Sequence, residues 1–136
     1  PTLQKFLRLT TPKIFIIDDD VLFVKILINH LSQNLSPVPI IRTFQVGEIA
    51  LDALREKPDF VLIDYQLNSK FFDADNGLSI GKQIRKVDPR TTLIFISGQQ
   101  EISVAVECLK LKPSHYIVKD NSCPKNILEI IRKSSG

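Results

Sequence analysis

The sequence has only two cysteines, Cys108 and Cys123, only five glycines, and neither methionine nor tryptophan in its 136 residues. Two thiols without a secretory context exclude a disulfide-stapled miniprotein and read as reduced cysteines. No uninterrupted apolar run reaches the roughly 18 residues a membrane-spanning helix needs. Lys5 and Arg8 interrupt the short apolar start and no small-residue cleavage site follows, so no signal peptide is expected. Neither sign of charge dominates, since 18 Lys and Arg against 15 Asp and Glu leave a net +3. The basic residues are scattered rather than gathered into a stripe, which argues for an ordinary solvated surface and against direct nucleic-acid binding. Starting at Pro1 and lacking Met, the chain reads equally as a piece of a longer polypeptide, a processed protein or a designed fragment. What is present is a balance of 43% hydrophobic and 24% charged residues, that of a single globular domain rather than a disordered or collagenous chain.

Residues 1–12 form a lead or linker without strong periodicity, closed by Pro12, and residues 13–136 form the domain. Within it, five apolar runs alternate with five amphipathic stretches. The runs are Ile14–Ile17, Ile40–Phe44, Phe60–Ile63, Thr92–Ile96 and His115–Val118, each read as a strand, and the first is continuous, as expected for a strand covered on both faces. Between them, Val21, Val24, Leu27, Ile28 and Leu31 recur at helical spacing, as do Val46, Ile49, Ala50, Ala53 and Leu54. Ile80, Ile84 and Val87 mark a third helix, and Ile102, Val106 and Leu109 a fourth. Pro124 suits the first turn of a fifth, which carries Ile127, Ile130 and Ile131. Strict alternation with short connections predicts an α/β fold with a parallel five-stranded sheet and helices on both faces.

Ligands of such sheets bind beyond the carboxyl ends of the strands. There the first strand delivers Asp18 and Asp19, the third Asp64, the fourth Ser97 and the fifth Lys119. Asp and Ser also cap helices, and Asp20 is assigned that role. Two carboxylates about 5 Å apart at an effective dielectric of about 20 repel by roughly 3 kcal/mol, so a shared pocket calls for a cation. Oxygen ligands without His or Cys nearby favour a hard ion such as Mg²⁺. Carboxylates, a dication, an ammonium and a hydroxyl together are equipment for handling a phosphoryl group, and a carboxylate can itself accept one.

Taken in order, Ile16-Ile17-Asp18-Asp19-Asp20, Pro58-Asp59-Phe60-Val61-Leu62-Ile63-Asp64-Tyr65-Gln66-Leu67, Ile94-Phe95-Ile96-Ser97-Gly98 and Tyr116-Ile117-Val118-Lys119-Asp120 resemble the receiver domain of two-component response regulators. The likeness spans about residues 13–133. It implies a flavodoxin-like, doubly wound sheet of order 2-1-3-4-5. It implies Asp64 as phosphoryl acceptor, Mg²⁺ held by Asp18, Asp19, Asp64 and the backbone carbonyl of Gln66, and Lys119 paired with the phosphoryl oxygens. Ser97 and Tyr116 become the switch that couples this chemistry to the face of the fourth helix, fifth strand and fifth helix. The implied partners are a histidine kinase or phosphotransfer protein and a second copy through that face, in the cytoplasm. Such a domain is a switch that catalyses its own modification rather than a turnover enzyme. Its readout then lies in a partner, a dimer or another part of the parent polypeptide.

The sequence also departs from the family. Asn68 stands where a Pro is usual, Ser69–Asn76 reads as a loop about five residues longer, and Asp120 follows Lys119 in place of the common Pro. The long loop holds Phe71, Phe72, Asp73 and Asp75, read as a surface insertion. Gln66 and Gln99 flank the line of a hydrolytic water, and two neutral amides offer no general base, which implies slow to moderate self-dephosphorylation. Cys123 before Pro124 occupies a cap-like place where a thiol pKa can fall. His30 and His115 are read as structural. Two alternatives stay open at this point. One is a haloacid-dehalogenase-like phosphatase using Asp18-Asp19-Asp20-Val21, which leaves Asp64 unexplained; the other is a receiver-like interaction module that is never phosphorylated.

Overall fold

The computed structural model describes residues 11–67 and 76–135. Five strands and five α-helices alternate: β1 Lys13–Ile17, α1 Val21–Asn34, β2 Ile40–Phe44, α2 Gly47–Asp52, β3 Phe60–Asp64, α3 Gly77–Val87, β4 Thr92–Ser97, α4 Ile102–Leu109, β5 Ser114–Val118 and α5 Cys123–Ser135. The strands form one sheet of order β2-β1-β3-β4-β5, and all four pairings are parallel. The expected doubly wound, flavodoxin-like arrangement is therefore present. The expected lead, apart from Pro12 and its neighbour, and the long loop with Phe71, Phe72, Asp73 and Asp75 lie outside the described residues.

The sheet separates two apolar cores, and the two-residue period of the strands assigns side chains to each. Ile14, Ile16, Phe60, Leu62, Ile94 and Ile96 face Val24, Leu27 and Leu31 of α1 and Ile127 and Ile131 of α5. Phe15, Ile17, Val61, Ile63, Leu93 and Phe95 face Ala50, Leu54, Ile80, Ile84 and Cys108 on the other side. Both faces of the central strands are thus covered, which is why their sequences are unbroken apolar runs. β2, at the sheet edge, is more open, and Ile40 is exposed there.

Four predicted helical stripes have the right period but only part of the expected face; in α1, Val24, Leu27 and Leu31 are buried but Val21 at the first turn is exposed. In α2, Ala50 turns inward, while Ile49 is 57% exposed and Val46 is also exposed. The helix stops at Asp52, and a 3-10 turn, Leu54–Glu56, follows and leads into Lys57 in the left-handed region (φ 54°), where the helix cannot continue. In α4, Ile102 is 82% exposed and Val106 and Leu109 are exposed, because the helix instead packs Val104 and Cys108, one turn apart, against the sheet. In α3, Ile80 and Ile84 are buried, but Val87 at the last turn extends past the sheet and is exposed.

Behind the sheet's amino edge, the Arg85 guanidinium of α3 donates to the carbonyls of Leu111, Asp88, Thr91 and Pro113 at 2.8–3.0 Å. This one planar fork ties the end of α3 to the starts of β4 and β5. An ammonium cannot reproduce its geometry. Arg85→Met is expected to lower stability by roughly 1–3 kcal/mol in urea denaturation, with Arg85→Lys recovering little of it. A denaturation midpoint unchanged in both variants would show that the clamp is not formed in solution.

Candidate functional site

The parallel register brings four strand ends to one edge. Ile17 lies between Phe44 and Ile63, Asp64 pairs with Ile96, and Ser97 pairs with Val118. The residues that follow these positions, Asp18 and Lys119, therefore emerge beside Asp64 and Ser97. Backbone bonds lock the row: Asp18 N–H donates to Phe44 O at 3.0 Å, Tyr65 N–H to Ile96 O at 2.8 Å and Lys119 N–H to Ser97 O at 2.7 Å.

Carboxylate oxygens of Asp18, Asp19 and Asp64 lie within 4.8 Å of one another. Asp18 is 3% exposed and Asp64 5%, while Asp19 faces solvent. Asp18 accepts from the N–H of Asp20 at 2.8 Å, and Asp64 accepts from the N–H of Gln66 at 3.0 Å, so the loops after β1 and β3 both curl back over their own acids. Asp20 is placed apart from this role. Its side chain accepts from the N–H of Phe23 at 3.1 Å and caps α1, as expected.

α3 begins unusually close to the site. Gly77 donates to Tyr65 O, and a Cβ at Gly77 would lie 2.2 Å from the backbone oxygen of Asp64 and 2.7 Å from Tyr65 Cα. Only glycine allows the helix start to sit against the end of β3. Asn76 caps that helix by accepting from Ser79 N–H at 2.9 Å.

Lys119 supplies the positive charge. Its ammonium is 3.2 Å from Asp18 and 3.6 Å from Asp20, and it lies 4.3 Å from the centre of the Phe23 ring. Burial opposes its charge, but Asp18, Asp64 and Asp20 outweigh that and raise its pKa. Burial raises the pKa of Asp18, partly countered by the Asp20 N–H and Lys119. Asp64 is raised to about 6, first by burial and then by the charge of Asp18. One ammonium does not satisfy three clustered acids. Oxygen donors alone, closely spaced and electrostatically unrelieved, fit a hard divalent cation.

Ser97 is buried beside this cluster, and its hydroxyl accepts from Gln66 Nε2 at 3.1 Å and from Gln99 N–H at 3.2 Å. Tyr116 is half-buried and donates its hydroxyl to Gln99 O at 2.6 Å. The Gln66 side chain, read from sequence as flanking a water path, is engaged with Ser97 and Gly98.

Two contributions were not anticipated: the Phe23 ring under Lys119 and the Gln66 bridge. An aromatic in the first turn after the acid cluster was the available signal for the first; none marks the second. Cys123, read as a plain reduced thiol in a cap-like place, is not activated there. It is fully buried, and burial, with the charge of Asp120 second, pushes its thiol up to about 12, the reverse of a reactive cap cysteine. His30 on α1 and His115 on β5 belong to no metal-type cluster among the described residues.

The sequence profile of the response regulator receiver domain matches residues 14–132. The chain belongs to that family. Its sequence is 29% identical to chemotaxis protein CheY of Thermotoga maritima over 90 residues, 65% of this chain and 70% of that protein. Its fold is that of a CheY-like receiver domain protein from Methanospirillum hungatei, with a TM-score of 0.74, 21% identity and coverage of 93% of this chain and 94% of that one. A response regulator from Burkholderia pseudomallei, solved with a phosphorylated aspartic acid, calcium ion and citrate, superimposes with a TM-score of 0.68 at 20% identity, covering 92% of this chain and 73% of that one.

The receiver domain's acid cluster carries a stability signature. Because Asp64 in the folded state binds its proton up to about pH 6, against about 4 when unfolded, the folded form holds more protons between these values. Its contribution to stability is greatest below about pH 4 and is lost as pH rises through about 6. Asp64→Asn is expected to raise the metal-free melting temperature at pH 7.5 by roughly 3–6 °C and to flatten the decline between about pH 4 and 6. Millimolar Mg²⁺ is expected to raise the melting temperature of the unsubstituted domain and much less that of the variant. Differential scanning calorimetry showing neither effect would contradict this account of the pocket.

Proposed function

We propose that this receiver domain accepts a phosphoryl group on Asp64 from a phosphohistidine of a histidine kinase or phosphotransfer protein. The observation that carries the reading is the convergence of Asp18, Asp19 and Asp64 oxygens within 4.8 Å, with the Lys119 ammonium against Asp18. In the transfer, the P–N bond of the donor breaks as an Asp64 oxygen forms the new P–O bond. The imidazole leaves with the electron pair and takes up a proton. Asp18, Asp19, Asp64 and the Gln66 carbonyl would hold Mg²⁺, which supplies neutralisation of the phosphoryl oxygens when bound. Lys119 exchanges part of its contact with Asp18 for those oxygens. The aspartyl phosphate reported for the Burkholderia pseudomallei protein supports this assignment by analogy of fold.

Ser97 and Tyr116 act as the switch, shifting an existing conformational equilibrium. The output face is that of α4, β5 and α5, where a partner protein or a second copy docks. The exposure of Ile102, Val106 and Leu109 on α4 supports that use. Neither Gln66 nor Gln99 can act as a base, which supports slow to moderate self-dephosphorylation. The domain works as a switch in the cytoplasm, not as a turnover enzyme; no helix among the described residues is long and apolar enough to cross a membrane.

Incubation with acetyl phosphate and Mg²⁺ is expected to add one phosphoryl mass, mapped by peptide mass spectrometry to the segment containing Asp64. The adduct should be absent after chelation and absent in Asp64→Asn. No adduct, or an adduct that persists in Asp64→Asn, would overturn the assignment.

A further inference from the structure

The first turn of α1 grips the Lys119 ammonium with two groups outside the acid cluster. One oxygen of Asp20 accepts from Phe23 N–H at 3.1 Å, and the other lies 3.6 Å from Lys119 Nζ. The Phe23 ring has its centre 4.3 Å from the same nitrogen, within the range of a cation–π contact. The ammonium also meets Asp18 Oδ2 at 3.2 Å. A helix amino terminus repels a cation, so these groups are what hold it there. The ring is itself fixed in place. It packs against the core that α1 and α5 cover, and the Asp20 cap ties its backbone to the carboxylate beside it.

We propose that Phe23 is a positioning residue for phosphoryl transfer to Asp64, its ring holding the Lys119 ammonium at the acid cluster. The proposal rests on the reading of Asp64 as phosphoacceptor and adds a residue to that same site. A lysine head sits on a flexible four-carbon stem, and it acts on a phosphoryl group only while it stays beside the reacting oxygens. A further carboxylate in the place of Phe23 could also hold it, but would turn more negative charge toward an anionic donor. Water could solvate it, but would leave it free to swing away. The aromatic face does neither. It attracts the cation through its quadrupole and keeps water from that side. It also offers no carboxylate lone pair to compete with phosphoryl oxygens for the N–H donors. Leucine or methionine can fill the same space but has no such face. If Phe23 only filled the core, either replacement would leave the reaction unchanged as long as the fold survived.

The test is the initial rate of adduct formation with acetyl phosphate at saturating Mg²⁺, read by intact-protein mass spectrometry in Phe23→Leu, Phe23→Met and Phe23→Tyr. The two ringless variants are expected to react about five- to tenfold more slowly than the unsubstituted domain, a barrier higher by about 1–1.4 kcal/mol. Phe23→Tyr, which keeps the face, should stay within about twofold of it. In a Lys119→Met background, itself slower, Phe23→Leu should change the rate by less than about twofold, because the ring acts through that ammonium. A second readout needs no phosphorylation: the Lys119 Hε proton resonances of the metal-free domain. The ring should hold them upfield of the other lysines in the unsubstituted domain and in Phe23→Tyr, and they should rejoin the others in the ringless variants. An absent upfield shift would overturn the positioning role alone. So would folded ringless variants that react as fast as the unsubstituted domain, or a loss from Phe23→Leu that is as large without Lys119; in each case the phosphoacceptor reading stands. If the unsubstituted domain forms no adduct, both are overturned.

Discussion

The repulsion among three carboxylates gathered at one sheet edge is the constraint around which this domain is built. Asp18, Asp19 and Asp64 come together because β1 and β3 are hydrogen-bonded neighbours that end at the same level. At such separations each charged pair costs about 3 kcal/mol at an effective dielectric of about 20, a sizeable part of a small domain's stability. Lys119 relieves some of it by lying against Asp18 and Asp20, and backbone N–H groups from Asp20 and Gln66 relieve more. The remainder is held as readiness to take up positive charge. A site that is electrostatically unsatisfied at rest is one whose occupation can drive a change elsewhere.

The scaffold keeps that tension in place. Two apolar cores clamp the central strands from both sides, so the strand ends cannot spread apart without opening buried surface. Gly77 brings the start of α3 against the backbone of Asp64, and Arg85 secures the far end of the same helix to the carbonyls at the opposite edge of the sheet. At the site, the segments that follow β3 and β4 meet through neutral hydrogen bonds of Gln66, Ser97 and Gln99. Neutral bonds of this kind contribute about 1 kcal/mol each, small enough to be exchanged for others.

The helices show where reading a sequence falls short. Val46 at the cap of α2, Ile49 within it, and Ile102, Val106 and Leu109 in α4, fall at helical intervals, yet all are exposed. Periodicity reveals that a helix has an apolar side; it does not reveal which side the sheet covers. In α4 the inward pair is Val104 and Cys108, and the apolar stripe is left facing outward, where a partner rather than the core can use it. Cys123 makes the same point for chemistry. Its position before a proline is one where a thiol pKa can fall, but the surrounding core raises it.

The sequence alone determined the strands and the acids they deliver, because a strand covered on both faces is an apolar run up to the sheet edge, where charged groups take over. Ile17 before Asp18, Ile63 before Asp64 and Val118 before Lys119 all obey that rule. Only the tertiary structure decided which helix faces were buried, that Phe23 lies beneath Lys119, and that Gln66 reaches across to Ser97 and Gly98. Those contacts join residues far apart along the chain, and no local pattern encodes a distance that exists only after the strands have paired.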